Sequence, residues 1–318
     1  MKTSRRSVLA LGAGTAAAWA VGSQVVGAEP PVASSPFRVV GYLPDYRMDD
    51  YNLTDAIGVT DLVAFSADPT ELGEIDLTRL EKAPWARLRE FKTRNRIRLI
   101  LSVGGWERSA GFASASSTAE RRERFADAAV RLCLEMRLDG LDLDWEHPAN
   151  KEEAENYASL LAATKKAFVP QGLQLSATMA AWQPLDKRAF EAVDTLHVMA
   201  YDHDDRHSTF DNAKADCDKL IAAGVRPEKL VLGFPFYGRH RTDRSKSLTF
   251  KEIAAKGKFD PNQDEAGDIY YNGPAMIRRK TRYAIDSKFA GVMFWELGQD
   301  ASGEKSLLSA IQREIAAK

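Results

Sequence analysis

The sequence predicts an α/β protein built as a single (β/α)8 TIM barrel, and three observations carry that prediction. Short apolar, β-branched runs alternate with amphipathic stretches, and the alternation repeats eight times along the chain. Such runs belong to a parallel sheet covered by helices, and eight units close into a barrel more naturally than they fill an open sheet. Length agrees. Of 318 residues, 290 remain once a 28-residue leader is set aside, against roughly 250 for a single barrel. Finally, the first run leads into Gly41-Tyr42-Leu43-Pro44, not the glycine-rich loop of an open dinucleotide-binding sheet.

Taken in order, residues 1–28 read as an export signal. Lys2, Arg5 and Arg6 form a charged start, Val8 to Val21 is mildly apolar, and Val26-Gly27-Ala28 supplies a small-residue cleavage pattern. Ser4-Arg5-Arg6-Ser7-Val8-Leu9 resembles a twin-arginine signal. The apolar run is shorter than the roughly 20 residues of a membrane span. Residues 29–318 are therefore expected as a periplasmic or extracellular bacterial barrel, monomeric, with no stable membrane insertion and no second domain.

The predicted strands cover 38–43, 62–66, 97–103, 140–145, 173–180, 196–201, 230–234 and 291–295. Helical periodicity falls at 78–95, 118–137, 151–168, 214–223, 274–287 and 304–317. Trp85, spaced with Leu80 and Leu88, is expected in the outer core. The segment from Ser245 to Asp268 is polar and Lys-rich and reads as a surface excursion.

Composition narrows the function. With 44% hydrophobic and 28% charged residues the chain is neither disordered nor low-complexity. Lys+Arg number 44 against 45 Asp+Glu, and removing the leader leaves 41 against 45, which gives no electrostatic footprint for nucleic acid. Two cysteines, Cys133 and Cys217, make no disulfide framework and read as buried thiols.

The chemistry concentrates in Asp139-Gly140-Leu141-Asp142-Leu143-Asp144-Trp145-Glu146. Side chains alternate along a strand, so Asp142, Asp144 and Glu146 share one face, and Leu141, Leu143 and Trp145 share the other. The apolar face must meet the helices, which turns the acids into the barrel; Asp139 has the opposite parity and reads as structural. Like charges so close cannot all ionise cheaply, and such clusters concentrate at functional sites. Spacing alone allows a carboxylate metal site with His147, or a general acid whose proton is held by its neighbours. The aromatic residues Tyr42, Trp106, Trp182, Tyr201, Tyr237 and Trp295, all near strand ends, suit the apolar faces of sugar rings. They add nothing to a metal site, so no metal or cofactor is expected.

Asp139-x-x-Asp142-x-Asp144-x-Glu146 resembles the signature of family 18 glycoside hydrolases, the chitinase family. Ser102-x-Gly104-Gly105, Met199-x-Tyr201-Asp202 and Trp295 extend the resemblance over roughly Arg38 to Asp300. It implies a compact member without the small α+β insertion domain, and a secreted, retaining hydrolase of β-1,4-linked N-acetylglucosamine polymers. The mechanism it implies is substrate-assisted. Glu146 would be general acid and base, Asp144 would hold the acetamido N–H, Tyr201 its carbonyl, and Asp142 would share a proton with Asp144. Trp295 would floor the distorted sugar. Tyr42, Trp106, Met199, Asp202, Tyr237 and Arg239 would line subsites. Two alternatives stand beside this reading: an endo-β-N-acetylglucosaminidase acting on N-glycans or peptidoglycan, and a non-catalytic chitin-binding lectin. His197 stands where family members often carry Asn, and its parity turns it into the barrel as a hydrogen-bonded core histidine. Glu296 points away from Trp295 and is expected in an ion pair behind the site. His203 to His207 read as a polar rim.

Overall fold

The computed structural model describes residues 37–184, 186–256 and 260–317; the expected leader, 1–28, lies outside them. Eight parallel strands are present. They are β1 (Arg38–Pro44), β2 (Asp61–Pro69), β3 (Arg98–Gly104), β4 (Gly140–Asp144), β5 (Gln174–Met179), β6 (Thr195–Val198), β7 (Leu230–Pro235) and β8 (Gly291–Trp295). Each pairs with its sequence neighbours, and β1 pairs with both β2 and β8, which closes the barrel. The predicted sixth strand, 196–201, stops at Val198, so Met199 to Asp202 leave regular geometry at the mouth, where Asp202 is left-handed (φ 64°).

Strand parity divides the side chains in two. Leu141, Leu143, Leu175, Leu196 and Leu232 point outward and form the main core with the helices. Val40, Tyr42, Val63, Phe65, Ile100, Val231 and Met293 form a second cluster inside the barrel. On β4, β5 and β6 the inward positions are instead Asp142, Ser176, Thr178 and His197, all buried. The interior is thus apolar on one side and polar on the other. At the opposite mouth Asp61 accepts Nη2 of Arg98 at 2.8 Å and faces Arg38 at 3.6 Å, a paired charge cluster that stops the barrel floor.

Among the described residues, the main helices around the sheet are α1 (Trp85–Asn95), α2 (Ala119–Met136), α3 (Lys151–Phe168), α4 (Lys187–Ala192), α5 (Phe210–Ala222), α6 (Pro274–Asp286) and α7 (Leu307–Ala316). The helix expected over 78–95 begins only at Trp85, after a 3₁₀ turn at Thr78–Leu80. Pro84 is the reason, since it disfavours helical geometry in the residue before it. Trp85 nonetheless packs against the core and donates its indole N–H to the Leu80 carbonyl at 3.2 Å. The helix expected over 214–223 starts earlier, at Phe210, because Thr209 caps it by accepting from Asn212 N–H. Ser306 caps α7 in the same way, which moves its start to Leu307.

Between β7 and α6 the chain is more than a surface excursion. Ser247–Thr249, Tyr237–His240, Ile269–Tyr270 and Glu265–Ala266 form, in that order, a small antiparallel sheet. A short helix, Phe250–Ala255, follows, closed by a reciprocal cap between Thr249 and Glu252. Strands this short carry too few residues for alternation to register. Cys133 and Cys217 are free and buried, and burial pushes both thiols up to about 12.

Candidate active site

The site is built outward from β4. Asp142 is fully buried and meets four hydroxyls from three strands. Ser176 Oγ donates to its Oδ1 at 2.6 Å, and Tyr42 Oη to its Oδ2 at 2.9 Å. Thr178 Oγ1 approaches Oδ2 at 3.0 Å and Ser102 Oγ at 3.4 Å. The register explains the convergence, because Ser102, Asp142 and Ser176 lie level across β3, β4 and β5. Asp144, one step nearer the mouth, is also buried, yet its Oδ1 finds no hydrogen-bond partner among the described residues. Burial, with the charges of Glu146 and Asp142, raises its proton affinity well above the carboxylate range. A buried acceptor without a donor costs free energy unless something supplies the donor.

Glu146 follows with its side chain 14% exposed. Burial, then the charge of Asp202, pushes its carboxyl up to about 7, against a smaller opposing pull from the Trp106 N–H. Asp202 keeps its own charge. Burial works against it, but His207, Arg239 and Tyr237 hold it well below the usual carboxylate range. The Tyr237 hydroxyl donates to its Oδ1 at 2.7 Å and Arg239 Nη2 to its Oδ2 at 2.6 Å. Tyr201, among these acids, stays a protonated phenol; burial raises it, and the charges of Glu146 and Asp144 add to the effect.

The glycines of Ser102-x-Gly104-Gly105 acquire a physical meaning. Gly104 (φ +99°) passes so near β4 that a Cβ would sit 2.2 Å from the Asp144 carbonyl oxygen, and one on Gly105 (φ +104°) 2.2 Å from the Phe65 ring. The close approach lets Gly105 N–H donate to Asp144 O at 2.7 Å. Ser109 completes the brace, donating to Asp144 O at 3.1 Å and accepting from Glu146 N–H at 3.1 Å. Gly104→Ala is expected to destabilise the protein by about 2 kcal/mol or more, since it combines backbone strain with a clash against a fixed carbonyl. Chemical denaturation would measure it, and an unchanged midpoint would refute the close-approach account.

Around the acids, Trp295 packs edge-on against Phe65 at 4.6 Å and lies 5.9 Å from Tyr42, with Met199 and Tyr201 packed on the same interior cluster. Trp106 and Trp182 stand on the rim, 67% and 64% exposed. His147 lies between Trp182, 4.6 Å away ring to ring, and Gln183, whose Oε1 is 2.9 Å from its Nδ1.

One assignment needs correction. Tyr42, expected to line a subsite, is 2% exposed, and its hydroxyl is spent on Asp142, Thr178 and His197. It lies beneath the acids because its strand position is inward but one level below the mouth. The placements of Glu296, Asp139 and residues 203–206 follow the sequence reading. Glu296 is buried behind the site with Arg47 at 3.2 Å, and Asp139 takes Lys92 at 2.7 Å. The polar rim is paired: His203 with Asp216, Asp204 with Arg244, Asp205 with Arg241 and Arg206 with Glu265. His207, read as part of that rim, is instead 1% exposed, with its ring beside Tyr237 and its Nδ1 3.4 Å from Asp202. The sequence reading passed over Ser109, Ser176 and Thr178. Ser176 and Thr178 share the inward parity of β5 and were findable by the rule that located the acids; Ser109, in an irregular turn, carries no such signal.

A closed parallel barrel with buried carboxylates of raised proton affinity at the C-terminal end of β4 and aromatic rings at its mouth defines an acid–base site of the barrel-enzyme class. Residues 38–300 match Glycosyl hydrolases family 18, and the chain belongs to that family. It is 28% identical over 280 residues to Chitinase 1 of Aphanocladium album, covering 69% of this chain and 66% of that protein. It is 28% identical over 306 residues to Chitinase A1 of Niallia circulans, covering 70% of this chain and 43% of that one. The chain thus spans slightly less than two thirds of the first relative and under half of the second. Among solved structures, the family 18 chitinase ChiB of Flavobacterium johnsoniae superposes with a TM-score of 0.77 at 30% identity. That match covers 88% of this chain and 94% of that one.

Proposed function

We propose that the protein is an exported, retaining glycoside hydrolase that cleaves β-1,4-linked N-acetylglucosamine polymers by substrate-assisted catalysis. One observation supports this above the others: a protonatable Glu146 stands beside Asp144, whose buried Oδ1 has no donor among the described residues. The 2-acetamido group of an N-acetylglucosamine unit brings an N–H for that oxygen.

In this reading Glu146 gives its proton to the glycosidic oxygen as the C1–O bond breaks. The acetamido carbonyl oxygen attacks C1 and forms an oxazolinium ion. Asp144 accepts the acetamido N–H on its Oδ1, while the Tyr201 hydroxyl donates to the carbonyl oxygen and orients it. Glu146, now a carboxylate, takes a proton from water, whose oxygen opens the ring with overall retention. Trp295 floors the sugar being cleaved; Trp106, Met199, Asp202, Tyr237 and Arg239 contact its neighbours. Tyr42 acts from below, through Asp142. The proposal extends to a periplasmic or extracellular location and a monomer. Among the described residues no helix is long and apolar enough to cross a membrane.

The test is product analysis on chito-oligosaccharides of four to six sugars. β-Anomeric disaccharides and trisaccharides are expected; α-anomers, or no cleavage, would overturn the reading. The pH profile provides a second test. The first step needs Glu146 protonated and its carboxyl lies at about 7. kcat/KM should therefore be sustained just below neutrality and fall about tenfold per pH unit above it. An alkaline limb near the ordinary carboxyl value of about 4.3 would show that the acid has been misassigned.

A further inference from the structure

His197 is buried on β6, and its Nδ1 lies 2.7 Å from the Tyr42 oxygen and 3.5 Å from Asp142 Oδ1. Its Nε2 lies 3.3 Å from Thr195 Oγ1. The Tyr42 hydroxyl has one proton and three neighbours within hydrogen-bond range: Asp142 Oδ2 at 2.9 Å, Thr178 Oγ1 at 2.8 Å and His197 Nδ1. A carboxylate only accepts, so the Tyr42–Asp142 contact requires the tyrosine proton. Nδ1 must then bring a proton of its own, leaving Nε2 to accept from Thr195. In the opposite arrangement Tyr42 would donate to Nδ1, and Asp142 would need a proton on Oδ2. The Thr178 and Ser102 hydroxyls, which also converge on Oδ2, would then compete for an oxygen that has lost lone-pair capacity.

We propose that His197 is a positioning residue: fixed in its Nδ1–H tautomer, it donates to Tyr42 and commits that tyrosine's single proton to Asp142. Asp142 is thereby saturated by hydroxyl donors and makes no demand on Asp144, whose buried Oδ1 has no hydrogen-bond partner among the described residues. The charged groups facing the imidazole are Asp142 on β4, Arg38 on β1 and Asp61 on β2. Burial outweighs the two acids and keeps the ring neutral, as a defined tautomer requires.

The contact through Nδ1 makes a geometric demand. Asn carries its amide nitrogen on the same γ-carbon branch and can place a donor where Nδ1 stands; Gln sends its amide one bond further, and Leu has none. His197→Asn is expected to keep kcat within about threefold, while His197→Leu and His197→Gln lose about tenfold or more, with KM changed by less than about twofold. The tautomer itself is read by ¹H–¹⁵N correlation of the imidazole nitrogens in the wild-type protein, with the His197 signals identified by their loss in H197N. A proton on Nδ1 and none on Nε2 is expected. A proton on Nε2 would overturn the proposal, as would equal losses in all three variants or wild-type kcat in His197→Leu. The kinetic arm rests on the proposed hydrolysis and the tautomer does not. A wild-type protein that cleaves nothing would therefore count against the hydrolase while leaving the hydrogen-bond assignment to the spectrum.

Discussion

Replacing Glu146 by Gln is expected to lower hydrolysis of chito-oligosaccharides by about 10³-fold or more while oligosaccharide binding stays within a few-fold of wild type. Gln keeps the shape and the polar contacts but has no proton to give. Isothermal titration alongside turnover separates the two effects, and a variant retaining more than a few per cent of activity would place the acid elsewhere. A linked effect shows that the variant is folded. The folded carboxyl lies at about 7, above an unfolded value of about 4.3. The native state therefore holds a proton that the unfolded chain has released across that window. The associated stability is complete below about 4.3 and is lost as pH rises toward 7. Gln is free of that loss, so at pH 8 Glu146→Gln should melt no lower than the wild type and is expected to melt higher.

Asp144→Ala is expected to be nearly as damaging, with kcat reduced about 100-fold or more and KM affected less. On the proposed mechanism it removes the acceptor for the acetamido N–H, needed chiefly as the transition state forms. Steady-state kinetics on a soluble oligosaccharide would measure this. A tenfold rise in KM at unchanged kcat would instead make Asp144 a binding residue with no share in the chemistry.

Much of this arrangement was legible beforehand because strand parity is a strict rule. Two leucines on one side of β4 were enough to turn Asp142 and Asp144 inward, and the same parity correctly turned His197 inward and Glu296 away. Parity assigns a face but says little about height along the barrel axis. That is why Tyr42 was assigned to the cleft, whereas it sits one level lower with its hydroxyl on Asp142. The early end of β6 at Val198 was hidden for a related reason, since Met199 and Tyr201 continue the apolar pattern after the backbone has left the sheet. Ser109 braces the backbone at both Asp144 and Glu146 from a turn far away in sequence, and no local pattern announces a contact of that kind.

The small antiparallel sheet between β7 and α6 supplies Tyr237 and Arg239 from its longest strand, and both fasten onto Asp202. Asp202 in turn is the neighbouring charge that helps hold the proton on Glu146. The appendage therefore reaches the acidity of Glu146 through Asp202. Lengthening, trimming or exchanging this segment would retune the pH at which the barrel operates, even with every residue of β4 left in place.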